Sequence, residues 1–255
     1  MFANYHTHTA RCHHATGEDK AYVEAAIQNG FQVLGFSDHC PWIFSDGYVS
    51  PIRMTPDELD GYVTSLMALK KEYAADITIY IGLESEYVPE MLPEQQKFLQ
   101  DYPIDYQILG EHFLYPEQHG IYTGRPTDDA AELKHYVDQV IAGMETGNYL
   151  YLAHPDLFHF IGDPALYEQE FRRLCVYLKE KQIPIEINQL GLADHRQYPN
   201  PAFLKIAESV GNTAIIGCDA HHPSALLDTD SQQACKKLAE QYHLSLVKVF
   251  PQLSR

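Results

Sequence analysis

The chain is 255 residues long and 45% hydrophobic, and 35 acidic against 18 basic side chains give it a formal charge of −17. It can bury a sizeable core, but the charge disfavours a nucleic-acid or anionic-membrane partner: such surfaces need clustered Lys and Arg, and basic residues gather here only in pairs such as Lys236-Lys237. Five scattered cysteines without a CxxC pair argue against a disulfide scaffold or a thiolate zinc finger, and with neither a long apolar run nor a signal-peptide start the expected location is the cytoplasm.

Strand-like and helix-like segments alternate from the start. The first apolar run, residues 2–6, leads into NYHTHTARCHHA, which crowds His6, His8, His13 and His14 together in a chain of 14 histidines. Imidazole is the commonest metal ligand and titrates near neutrality, so the excess points to metal or proton chemistry. Residues 32–38 are the next strand candidate. In TPDELDGYVTSLMALKKEY, Leu59, Tyr62, Val63, Leu66 and Leu69 share one helical face, opened by Thr55 as cap, Pro56 in the first turn and Glu58 three residues on. Strand candidates 77–84 and 104–110 follow, then the helix of PTDDAAELKHYVDQVI, with Thr127 as its cap. Strand candidates 149–154 and 183–188 precede NPAFLKIAESVG, a helix capped by Asn200 and ended by Gly211. Runs 213–219 and 244–250 complete the series.

Repeated units of this kind predict a parallel sheet covered by helices. The length suits a closed barrel, and the missing glycine-rich loop after the first strand weakens the open doubly wound alternative. The expected class is α/β, a TIM-like barrel with seven rather than eight regular strands, as a single domain over residues 1–255.

Nearly every apolar run ends in a metal-capable side chain: His6 and His8, Asp38 and His39, Glu84, His112, His154 and Asp156, Asp219 and His221. Strand C-termini converge on one face of such a barrel. Side chains two apart lie about 6.5–7 Å apart on the same side of a strand, so His6 with His8, and Asp219 with His221, can aim at one ion or at neighbouring ions while Thr7 and Ala220 turn away. Glu84 can bridge two cations through its two oxygens. A lone histidine at a strand end is ordinarily hydrogen-bonded or exposed; the joint pattern over six strands points to a metal cluster. His119, His135, His195, His222 and His243 fall outside it and are expected at the surface. One of His13 and His14 coordinates, and the pattern does not choose between them.

At these residues the chain resembles the polymerase and histidinol phosphatase (PHP) superfamily, in particular its histidinol-phosphatases. The stretches that carry the likeness are HTHTARCHHA, FSDHCPW, RMTPDELDGYV, GLESEYVPE, ILGEHFL, AHPDL, EINQLGL and CDAHHP, in order from residue 6 to residue 223. The resemblance implies a distorted (β/α)7 barrel with up to three divalent ions, zinc, iron or manganese. It implies one ion on His6, His8, Glu84 and Asp219, a second on Glu84, His112 and His154, and a third on His14, His39 and His221, selecting His14 over His13. The implied reaction is hydrolysis of a small phosphomonoester, foremost L-histidinol phosphate to L-histidinol and inorganic phosphate in histidine biosynthesis. A metal-bridging hydroxide would attack in line, and Asp219, His221 or His39 would serve the leaving alkoxide. The resemblance also places Arg196 on the phosphate, with an exposed loop arginine as the alternative. Arg53 is either a phosphate ligand or an anchor for the following helix, and Trp42 and Phe44 form either a lid or core packing.

Three departures bear on the substrate. Glu111 precedes His112 where the usual SVHF of relatives has valine, and strand alternation turns it away from the ions. His159 stands where relatives carry a phosphate-binding arginine, and Gln189 interrupts the usual NTSGL. Two alternatives therefore stand beside the histidinol-phosphatase: hydrolysis of another small phosphomonoester or of protein phosphotyrosine, and a non-catalytic metal-binding barrel.

Overall fold

The computed structural model describes residues 2–253 and divides into two compact units: Met1–Ile108 with Cys218–Thr229 and Lys248–Arg255, and Leu109–Gly217 with Asp230–Val247. The first unit contains β1 (Ala3–Asn4), α1 (Asp19–Gln28), β2 (Val33–His39), α2 (Leu59–Glu72), β3 (Thr78–Ser85), α3 (Leu92–Leu99) and β4 (Tyr106–Leu109). The strands lie in the order β1-β2-β3-β4, with β1–β2 and β2–β3 parallel. Every residue of β2 is buried, which explains why the strand reads as a continuous run rather than an alternation. Tyr106 crosses beneath this sheet. Its hydroxyl donates to the Tyr5 and Phe36 carbonyls at 2.7 and 3.0 Å, and its ring fills the space a Cβ would need at Gly82, 2.5 Å away.

The core face expected for α2 is the one buried: Leu59, Tyr62, Val63, Leu66 and Leu69 pack with Leu34, Phe36, Ile79 and Ile81. Each such side chain contributes about 1.5–3 kcal/mol of burial. Thr55 and Glu58 form the predicted capping box, although the first turn, Pro56–Glu58, is 3-10 and the α-helix starts at Leu59.

The second unit contains α4 (Ala130–Glu145), α5 (Pro164–Glu180), β5 (Ile185–Asn188), α6 (Gln189–Ala193), α7 (Pro201–Val210), β6 (Thr213–Gly217), α8 (Thr229–Gln241) and β7 (Ser245–Leu246). Here β5, β6 and β7 pair in that order, all parallel. Asn200 caps α7 by accepting from the Ala202 amide, and Gly211 ends it in the left-handed region at φ 81°. The cap of α4 is Asp129, not Thr127: Asp129 accepts from the Ala131 amide at 2.7 Å, while the Thr127 hydroxyl binds Glu132.

The expected strand at 149–154 shrinks to Leu152, which bridges Leu109 and Ile185. Pairing stops there because Pro155 brings no amide and His154 turns to φ 26°. The run 244–250 pairs only over Ser245–Leu246, both exposed at a sheet edge. Seven strands thus remain among the described residues, and no helix among them is long and apolar enough to cross a membrane. All five cysteines are free thiols and buried.

Candidate metal centre

The regular part of β1 ends at Asn4, so its side chain, not a ladder, carries the chain onward. Asn4 Nδ2 donates to the His6 carbonyl and to Thr7 Oγ1 at 3.0 and 2.7 Å, and Oδ1 accepts from the His6 and Cys218 amides at 3.2 and 2.8 Å. Thr7 then pairs with Ala220: the His8 amide reaches the Ala220 carbonyl at 2.9 Å, and the Ala220 amide reaches the His6 carbonyl at 3.3 Å. His6 and His8 flank one partner of this bridge, Asp219 and His221 the other. Because side chains alternate, all four leave the bridge on the side opposite Thr7 and Ala220. The β2–β3 register supplies two more donors by setting His39 directly opposite Glu84.

Glu84, 1% exposed, is shared among three imidazoles. Its Oε1 lies 3.5 Å from His6 Nε2, and its Oε2 lies 3.5 Å from His8 Nε2 and 3.2 Å from His39 Nδ1. Asp219 Oδ1 faces His6 Nε2 at 3.4 Å and His8 Nε2 at 3.1 Å. Behind His8, Asp38 Oδ1 stands 3.4 Å from Nδ1, while the other Asp38 oxygen accepts from the Thr9 hydroxyl. The rings of His8, His14, His39 and His221 gather within 4.0–6.4 Å of one another, centroid to centroid.

The electrostatics call for positive charge. Burial alone would raise the Asp219 pKa, yet the imidazoles of His6, His8 and His221 hold its carboxyl well below the usual range. Burial would likewise lower His8, but the Asp219 and Asp38 carboxylates carry it well above the ordinary imidazole value. Burial and the neighbouring His8 push His221 down to about 3, so its ring stays neutral and able to donate a lone pair.

Hydrogen bonding fixes where those lone pairs are. His14 Nδ1 sits 2.7 Å from the Cys12 carbonyl, and His221 Nδ1 sits 3.0 Å from the Asp219 carbonyl. A carbonyl only accepts, so each Nδ1 carries a proton and each Nε2 is the atom turned to the cluster. Those two Nε2 atoms face each other at 3.0 Å. The pair needs a positive charge at that distance: a proton shared from the His14 ring, whose pKa burial would lower but its Cys12 contacts raise, or a metal ion in its place. His14, His39 and His221 offer donor atoms within 4.8 Å of one another, as do His6, His8 and Asp219, and His8, His39 and Glu84. Neutral imidazoles with two buried carboxylates fit zinc, iron or manganese.

His13 takes no part. Its left-handed backbone, φ 66°, turns the ring outward, with Nε2 3.7 Å from Glu58. Arg53 cannot serve as a phosphate ligand. It is buried, with both terminal nitrogens 3.0 Å from the Glu86 carboxylate and one donating to the Cys40 carbonyl at 3.1 Å, so it anchors the loop after β2. Trp42 is no lid either, being buried and donating to Glu86 at 3.2 Å; Phe44 packs edge-on against Tyr48.

In the second unit the rings of His112 and His154 lie 5.0 Å apart, and the His154 amide donates to Glu186 at 3.0 Å. Glu111 turns to α4 and accepts from Gln139 at 2.9 Å. Asp156 is buried and holds the Asn200 amide at 2.5 Å, a structural role for a residue whose place at a strand end had suggested metal chemistry. Arg196 is exposed and held by Asp194 at 2.8 Å and Tyr198 at 3.2 Å, on a cavity of about 760 Å³ shared with Leu192, His195, Asp230 and Ser231. His159 is half-buried, its backbone bonded to Thr123 and Thr127. Of the histidines expected at the surface, His119, His195, His222 and His243 are exposed; His135 is half-buried, its Nε2 2.9 Å from the Leu114 carbonyl. Sequence reasoning missed Asn4 and the orienting part of Asp38. The second had a signal, an acid directly beside His39; a lone asparagine in a strand had none.

Comparisons with known proteins identify the family and the fold. The family model for the PHP domain matches residues 4–190. A Deinococcus radiodurans protein named probable histidinol-phosphatase is 28% identical over 230 residues, covering 86% of this chain and 85% of its own. The crystal structure of a histidinol phosphate phosphatase from Lactococcus lactis, complexed with zinc, L-histidinol and phosphate, superposes with a TM-score of 0.74 at 19% identity, covering 99% of this chain and 97% of that one. The fold class is therefore the α/β, distorted TIM-like (β/α)7 barrel that the sequence led us to expect.

Proposed function

This chain belongs to the PHP domain family, and from that premise we propose that it is a metal-dependent phosphomonoesterase whose substrate is L-histidinol phosphate. The observation that carries the reading is Glu84, a buried carboxylate divided between His6 on one oxygen and His8 and His39 on the other. A structural carboxylate of that burial would be matched to one partner; one shared this way suits a bridge between cations. Bound divalent ions would supply an acidified water nucleophile and a cationic grip on the phosphate oxygens.

The protein's own residues do the rest. His6, His8, Glu84 and Asp219 hold one position, and His14, His39 and His221 another. His112 and His154 join the ligand set on the strength of the family resemblance. Asn4 keeps His6 in place through the backbone, and Asp38 fixes the ring of His8. Asp219, His39 and His221 are assigned to the departing alkoxide; with the Asp219 carboxyl held ionised and the His221 ring neutral, they would orient the water that protonates it rather than give up a proton themselves. Arg196 and His159 are assigned to the substrate, with Arg196 taking a phosphate oxygen through its planar fork. Hydrolysis would yield L-histidinol and inorganic phosphate, a step of histidine biosynthesis.

Glu111, His159 and Gln189 depart from the family pattern and favour a second reading, another small phosphomonoester on the same centre. Phosphate release from histidinol phosphate, phosphotyrosine and p-nitrophenyl phosphate by the zinc- or manganese-loaded protein decides between them. A kcat/KM for histidinol phosphate more than about tenfold above the others is expected. Equal values would transfer the proposal to a different ester, and no turnover on any of them would leave a non-catalytic metal-binding protein.

A further inference from the structure

We propose that Cys12 is a sulfur ligand of the metal centre, giving it a preference for thiophilic ions. The inference rests on reading the imidazole cluster as a metal centre and adds a sulfur to the histidine and carboxylate ligands that the resemblance implies. Cys12 closes the 3-10 turn Ala10–Cys12, which is pinned at one end by Thr9 on Asp38 and reversed at the other by the left-handed His13. That reversal sends His13 outward and leaves Cys12 inside, fully buried. Its thiol and ring nitrogens of His8 and His221 all lie within 4.8 Å of one another. Donors on one tetrahedral zinc, with Zn–N near 2.0 Å and Zn–S near 2.3 Å, stand roughly 3.5 Å apart, so a small side-chain adjustment would bring the sulfur onto the ion that His8 or His221 holds.

Two further features of the cluster point to a ligand independently of the sulfur. Buried His8 Nε2 makes no well-aligned hydrogen bond, although the Asp219 and Glu84 carboxylates lie 3.1 and 3.5 Å away, an arrangement that suits a shared cation. The Nε2 atoms of His14 and His221 face each other at 3.0 Å, and it is the Cys12 carbonyl, 2.7 Å from His14 Nδ1, that orients the His14 ring. One residue thus orients an imidazole through its backbone and offers a donor through its side chain. On binding, the S–H bond breaks, a sulfur–metal bond forms, and the proton leaves to solvent. Soft thiolate favours zinc or cobalt over manganese.

The test is cobalt loading of the full-length protein, followed by absorption spectroscopy. The wild type should show visible d–d bands together with a near-ultraviolet thiolate-to-cobalt charge-transfer band. The latter should vanish in Cys12→Ser, and in Cys12→Ala should the serine variant fail to fold. Competition should show the ratio of zinc to manganese affinity falling at least about tenfold in the variant. Charge transfer that persists in the variant would overturn the proposal, as would d–d bands without charge transfer in the wild type. Failure to bind cobalt at all would instead overturn the metal reading itself.

Discussion

At His13 the backbone turns left-handed, φ 66°, and two adjacent histidines part company. His13 faces Glu58 at the surface, while His14 meets His221 nitrogen to nitrogen. Residue types and their spacing showed that histidines were crowded here but not which one pointed inward, because that depends on a single φ angle. Family resemblance chose His14, and it is His14 that lies with His39 and His221 within 4.8 Å, donor to donor. His14→Ala should therefore lower the metal bound per chain and cut kcat/KM, whereas His13→Ala should leave both unchanged; elemental analysis and phosphate release on the two purified variants check this. Arg53 teaches the reverse lesson. An arginine in a motif reads as an anion ligand until its partner is seen, and that partner, Glu86, lies thirty-three residues away. Glu86→Gln would leave the buried guanidinium uncompensated and cost about 3–5 kcal/mol, read as a lowered denaturation midpoint.

Among the elements, α2 and α7 were legible almost residue by residue, because their signals are local. The box at Thr55 and Glu58, the cap at Asn200 and the left-handed Gly211 each act within one turn. Asn200→Ala should cost about 1 kcal/mol through the lost cap. Gly211→Ala should be destabilising as well, since its backbone sits at φ 81° and a Cβ would meet Lys179 Nζ at 3.2 Å. Thermal or urea unfolding measures both. Strands were less legible where they carry the site. Of the runs expected as strands, 2–6 keeps regular pairing only at Ala3–Asn4 before the single Thr7–Ala220 bridge, and 149–154 keeps only the two bridges of Leu152. The first is held by Asn4 and Ala220, and the second is cut short by Pro155, all contacts that no periodicity encodes.

For the molecule as a whole, the sequence showed the alternation of elements and the strand-end placement of donors, which was enough to expect the class of fold and a metal centre. It could not show the His39–Glu84 register, nor that Glu84 and Asp219 are buried facing imidazoles. That burial has a consequence for stability. Cations that bind only the folded state stabilise it by about 2.7 kcal/mol at a hundred times their Kd. Chelation should accordingly lower Tm, and returning zinc or manganese should restore it; a Tm indifferent to chelator would mean that the cluster is satisfied by protons alone.

The most direct test of the central claim is the metal content of the purified wild type beside that of Glu84→Gln, which keeps the side chain's shape while removing its charge. Because Glu84 faces three imidazoles at once, the wild type should carry more than one divalent ion per chain and the variant should lose most of them, with kcat/KM falling by more than about a hundredfold. A folded Glu84→Gln protein with undiminished metal and undiminished phosphate release would contradict the account.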